Sequence, residues 1–175
     1  MLQSFGSQPI PQNEDLRLST LHATKLLDSP EEEEYNAITR IAKAYFNTPV
    51  TLISLVDAKR QWFKAKCGLE ASETPREISF CTHAIMKSNV MVVPDAAADK
   101  RFKENPLVKG EPNIRFYAGA PVIIPDGIIL GTLCLIDTKP NPNFSKEDEA
   151  VLADMALLVA SLAEHSLYKH AYLKQ

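Results

Sequence analysis

Residues 115–124, Arg115-Phe116-Tyr117-Ala118-Gly119-Ala120-Pro121-Val122-Ile123-Ile124, and residues 128–137, Ile128-Ile129-Leu130-Gly131-Thr132-Leu133-Cys134-Leu135-Ile136-Asp137, decide the fold. Both runs are rich in β-branched and aromatic residues, and Pro125-Asp126-Gly127 between them supplies turn chemistry, so the stretch reads as an antiparallel hairpin. Val50 to Val56 is a similar apolar run, as expected of a central strand buried on both faces. Asp57-Ala58-Lys59 then turns the chain into Gln61 to Cys67, which predicts a second hairpin.

Working outward, Asn13 is a plausible N-cap for a helix running to about Leu27, with Glu14 and Asp15 at its positive end. Ser29-Pro30-Glu31-Glu32 combines a capping Ser, a Pro at the first helical position and a Glu three residues on, so a second helix should start there. Tyr35, Ile38, Ile41, Ala42, Tyr45 and Phe46 recur at helical spacing and predict the face it packs on a sheet, up to Asn47-Thr48-Pro49. Gly68 to Ile78 reads as a loop able to cover a pocket, and Ser79 as the cap of a short helix to about Lys87. Val90 to Pro94 is a short strand, followed by an irregular charged stretch to Gly110 with a turn of helix near Asn105-Pro106-Leu107. Ser145 caps a long final helix whose stripe is Val151, Leu152, Met155, Leu158, Val159 and Leu162. The element order predicts an α+β fold, an antiparallel sheet with helices segregated from it.

The 175 residues suit one domain, and residues 1–12, with Gly6, Pro9 and Pro11, read as a flexible lead-in to a single unit over residues 13–175. A formal net charge of -3 leaves no basic excess to neutralise phosphates, which argues against nucleic acid as a partner. There is no signal-peptide pattern, and the sequence shows no uninterrupted apolar run near the roughly 20 residues a bilayer span needs, so the expectation is a cytoplasmic chain without membrane contact. Cys67, Cys81 and Cys134 are odd in number and lack metal-type spacing, which argues against a disulfide framework and a zinc site.

Several separated segments together resemble the GAF domain family of bacterial signalling proteins: Leu26-Leu27-Asp28-Ser29-Pro30, Ser54-Leu55-Val56-Asp57, Gln61-Trp62-Phe63-Lys64-Ala65, Ser79-Phe80-Cys81-Thr82-His83-Ala84-Ile85, Asp99-Lys100-Arg101-Phe102, Arg115 to Pro121 and Gly131-Thr132-Leu133-Cys134. The resemblance covers roughly Asn13 to Leu167. It implies a PAS-like central antiparallel sheet flanked by N- and C-terminal helices, and a regulatory role.

Cys81 and His83 are the first candidates for chemistry, because a His can hold a thiol as thiolate. On a helix, however, residues two apart point in different directions. Some GAF relatives attach a bilin through a Cys near this place; Thr82 between Cys81 and His83 departs from that pattern, and no cofactor is expected. Other branches reduce free methionine sulfoxide with three cysteines, the enzymatic alternative for Cys67, Cys81 and Cys134. Arg76, Arg101 and Arg115 lie in segments that, by resemblance, surround the pocket, and guanidinium groups suit an acidic metabolite. For Arg115 the competing reading is structural, a bond to Asp95 or Asp99 that locks loop to sheet. Trp62, Phe63, Phe80, Phe102, Phe116 and Tyr117 either line an apolar cavity or fill the core. The ligand-binding candidates are therefore Trp62, Phe80, Cys81, His83, Asp95, Arg101, Phe102, Arg115 and Tyr117.

The last helix carries Leu158, Leu162 and Leu167 toward His165, His170 and Tyr172. In GAF-containing receptors such helices pair between subunits and lead into an output domain. The resemblance thus implies a homodimeric, non-enzymatic sensor controlling a histidine kinase or diguanylate cyclase. The alternatives are the thiol-dependent reductase and a dimerisation module without ligand.

Overall fold

A computed structural model describes residues 8–173. In chain order the elements are α1 (Glu14–Ala23), α2 (Glu33–Phe46), β1 (Val50–Val56), β2 (Arg60–Cys67), β3 (Glu73–Pro75), α3 (Cys81–Ala84), β4 (Met91–Val93), α4 (Pro106–Lys109), β5 (Phe116–Ile124), β6 (Ile128–Asp137) and α5 (Lys146–Tyr172). The strands form one six-stranded antiparallel sheet in the order β3-β2-β1-β6-β5-β4, so the two predicted hairpins meet where β1 pairs with β6. The α+β expectation holds. Of the predicted N-terminal lead-in, residues 1–7 lie outside the described residues, and residues 8–11 carry no regular structure.

Alternation along the central strands splits the core into two layers. Ile53, Leu55, Phe116, Leu133 and Leu135 face α1, α2 and α5, whereas Leu52, Val56, Phe63, Tyr117 and Cys134 face the short helices α3 and α4. Each fully buried Leu, Ile or Phe contributes about 1.5–3 kcal/mol relative to exposure. The β5–β6 turn holds Asp126 and Gly127 at φ of 69° and 73°, a left-handed pair matched to the twist of a hairpin.

Several boundaries differ from the sequence reading, each for a local reason. Helix α1 stops at Ala23 rather than Leu27, because Lys25 and Asp28 adopt left-handed backbone, and the Asn13 side chain makes no capping bond. Ser29 does not cap α2, which starts at Glu33. Its hydroxyl donates to the Leu26 carbonyl and accepts from the buried Lys64 ammonium at 2.7 Å, which also reaches the Pro30 carbonyl and the Glu32 carboxylate. On α2, Tyr35, Ile38, Thr39 and Ala42 are buried, but Ile41 and Tyr45 point outward. The loop after Gly68 contains β3 paired to β2, followed by a 3-10 turn over Arg76–Ile78. Helix α3 ends at Ala84 rather than near Lys87, although the Ser79 hydroxyl does accept from the Thr82 amide.

Helix α5 opens with a reciprocal capping box between Ser145 and Asp148. It packs along β5 and buries Leu152, Ala156, Val159, Ala160 and Ala163; Leu158 is exposed, against expectation. Three alanines on the inner face let the helix approach the sheet closely. At 27 residues, with a mean hydropathy of 1.5 over its most apolar window, α5 is long and apolar enough to cross a bilayer by length and composition alone, but Asp154 and Glu164 interrupt it and its inner face packs on β5.

Candidate functional site

The α3-facing side of the sheet gathers most of the predicted site. Phe80 stacks on Phe102 at 4.1 Å between ring centroids and tilts against Tyr117 at 5.3 Å; all three rings are buried. His83 meets the edge of Phe102, and the Arg101 guanidinium lies 5.0 Å over the same ring. Arg101 is held by a fork of bonds to Asp99, whose carboxyl these bonds keep below its usual range. Burial and the neighbouring Arg101 charge push the His83 imidazole down, favouring its neutral form. No hydrogen bond links His83 to Cys81 among the described residues, as expected of side chains two apart on a helix.

Beneath the aromatics lies a buried polar cluster. The Cys81 thiol receives bonds from the Tyr117 and Thr132 hydroxyls, both at 3.1 Å, and its sulfur sits 3.9 Å from that of Cys134. Burial pushes the Cys81 thiol up, but contacts from Cys134, Thr132, Tyr117 and Ser54 pull it down further, to about 6. The Cys134 thiol moves the other way, well above its usual value, chiefly through Cys81 and burial. Burial raises the Tyr117 phenol as well. Beside this group, Gln61 accepts from Ser54 and Ser79 and donates to Thr74.

The cavity bounded by Gln61, Phe80, Cys81, Tyr117 and Cys134 holds only about 20 Å³. That is room for about one water molecule, so the aromatic rings occupy the space a larger ligand would need.

The remaining predicted residues fall elsewhere. Trp62 is on the opposite side of the sheet, lining a groove of about 390 Å³ between α2 and β2 with Arg40 and Cys67. Arg115 does not bond Asp95 or Asp99 through its side chain; its guanidinium donates to the Val108 and Ile114 carbonyls. The link from loop to sheet is made by main chain instead, the Ala96 amide donating to the Arg115 carbonyl. Asp95 accepts from the Ala97 amide and closes a 3-10 turn. Arg76 is a buried tether, bonded to Glu14 and to the Asp57 carbonyl. The same Glu14 carboxylate takes a fork from the fully buried Arg17. Although burial opposes ionisation of Glu14, the two guanidinium groups bring its carboxyl down to about 2.

Ser54, Gln61, Ser79 and Thr132 were missed as members of the cluster. For two of them the signal was parity: Ser54 sits between Leu52 and Val56 on one face of a buried strand, and Gln61 shares a face with Phe63.

Comparison with known proteins agrees with this geometry. The GAF domain profile matches residues 30–162. The chain is 42% identical over 171 residues to a cyclic di-GMP phosphodiesterase of Pseudomonas aeruginosa; the match covers 98% of this chain but only 29% of that protein. A GAF domain of a Coxiella burnetii phosphoenolpyruvate-protein phosphotransferase superposes with a TM-score of 0.66 at 18% identity, covering 89% of this chain and 96% of that one. A free methionine-R-sulfoxide reductase of Neisseria meningitidis superposes with a TM-score of 0.61 at 17% identity, covering 91% and 95%. At those identities the two structures speak for the fold alone. The fold, the residues matched and the sequence relationship agree: the chain belongs to the GAF domain family.

Proposed function

We propose that this chain is the regulatory sensor module of a cytoplasmic signalling protein, and that it acts as a homodimer whose α5 helices pass a conformational state to an attached output domain. The observation that carries this reading is the 42% identity spanning 98% of the chain but 29% of a phosphodiesterase, which supports a module within a longer regulator. Candidate outputs are a cyclic di-GMP phosphodiesterase, a diguanylate cyclase or a histidine kinase. Support for pairing comes from the helices: Ile41 and Tyr45 on α2 and Leu157 and Leu158 on α5 are each more than half exposed, apolar surface suited to a second copy. A ligand would regulate only through unequal affinity for two arrangements of these helices.

A second reading, a dimerisation module without ligand, is favoured by the 20 Å³ cavity, which leaves an effector no space beneath α3 unless that helix moves. The same volume counts against a reductase acting on free methionine sulfoxide in this conformation. Native mass spectrometry with light scattering tests these readings on wild type and on the Ile41→Glu/Leu158→Glu double variant. A wild-type dimer that becomes a folded monomer in the variant supports helix pairing, and a retained small-molecule mass supports sensing. A strictly monomeric wild type overturns the dimer, and a bare dimer favours the ligand-free module.

A further inference from the structure

Two thiols face each other in the interior and have no part in the regulatory reading. Cys81 opens α3 and Cys134 lies mid-strand in β6, yet their sulfurs approach to 3.9 Å. Both are free and buried, and both line the 20 Å³ cavity. The Tyr117 and Thr132 hydroxyls converge on the Cys81 sulfur at 3.1 Å, so developing negative charge there meets two fixed donors. Both hydroxyl contacts fall on Cys81 rather than Cys134, so the attacking thiolate is better held at Cys81 and Cys134 is left as the resolving thiol.

We infer that Cys81 and Cys134 form an oxidisable dithiol site whose substrate is hydrogen peroxide and whose product is an intramolecular disulfide tying α3 to β6. The Cys81 thiolate attacks one peroxide oxygen, the O–O bond breaks, and the departing hydroxide takes up the proton that Cys81 gave up on ionising to become water. Cys81 is then a sulfenic acid. The Cys134 sulfur attacks the Cys81 sulfur, the S–O bond breaks, and the released hydroxide takes the Cys134 proton as a second water. The two thiols lose two electrons in all, and the peroxide gains them.

The cavity sets the substrate class, because space for about one water admits a molecule of two oxygens with little displacement but not an organic sulfoxide. Closing the sulfurs from 3.9 Å to a bond of about 2.05 Å requires movement on one side. Strand β6 is held by β1 and β5 on its two edges, so the four-residue α3 is the part free to shift. Cys67 takes no part: it is half-buried, on the α2 side, 3.5 Å from the Thr39 hydroxyl. The inference rests on the dithiol alone and stands whether or not the chain binds an effector.

The test uses the full chain with Cys67→Ser, treated with hydrogen peroxide while circular dichroism confirms that it remains folded, then denatured, alkylated with N-ethylmaleimide and mapped by mass spectrometry. The expected result is a loss of two hydrogens, one cross-linked pair of peptides carrying Cys81 and Cys134, and recovery of both thiols with dithiothreitol. Adding Cys134→Ser should let dimedone trap a sulfenic acid at Cys81, whereas adding Cys81→Ser should slow oxidation of Cys134 about tenfold or more. Full alkylation of both thiols after peroxide treatment of the folded Cys67→Ser chain overturns the inference, and that readout decides the matter even where a double variant does not fold.

Discussion

Phe80 and Phe102 lie almost parallel, 4.1 Å between centroids and 7° between planes, so the loop residue before α3 that roofs the buried cysteines is braced by one before α4. The stack belongs to no regular element, and through Phe80 it bounds the small cavity over Cys81 and Cys134.

Removing one ring should therefore cost core stability. Phe102→Ala deletes a side chain 1% exposed and should destabilise the fold by about 3–5 kcal/mol in chemical denaturation. A loss below about 1 kcal/mol would mean that the roof collapses onto the gap without strain.

Glu14 should set part of the acid sensitivity. Its carboxyl is brought from an ordinary 4.5 to about 2 in the fold, so its stabilising contribution is present above pH 4.5 and is lost as pH falls through about 2. Glu14→Gln leaves Arg17 and Arg76 buried without their shared anion and should cost about 3 kcal/mol at pH 7. The gap between wild type and variant should narrow as pH drops from 4.5 toward 2. A gap independent of pH in denaturant titrations would contradict the assignment.

Gly131 marks the join between the two hairpins. A Cβ there would stand 1.9 Å from the Ser54 carbonyl oxygen, which is backbone and has no rotamer to yield. Gly131→Ala should force β1 from β6 and cost about 3 kcal/mol or more. A melting temperature equal to wild type would show that the strands can part cheaply.

Two similar-looking helix starts should behave differently. Ser145→Ala removes a capping box and should cost about 1 kcal/mol, while Asn13→Ala removes no capping bond and should stay within about 0.5 kcal/mol. Equal effects in parallel denaturation curves would refute the distinction.

The caps show where reading a sequence stops. Ser29 and Ser145 carry equally good start signals, but Ser29 spends its oxygen on Leu26 and on Lys64, which arrives from a strand 35 residues away. No local pattern records that competition.

By itself the sequence determined five of the six strands, both hairpins and the family. β-branched runs prefer extended backbone, and Asp126-Gly127 accepts the left-handed conformations that a tight turn demands. Alternation within each strand also separated residues into two faces. Which face met which helix was decided only by the tertiary structure, because that depends on the register joining β1 to β6. Alternation along β2 put Trp62 on the other face, the Arg115 side chain went to nearby carbonyls rather than to carboxylates, and the tertiary packing brought Cys81 within 3.9 Å of Cys134, a contact between residues 53 positions apart that no short-range preference could specify.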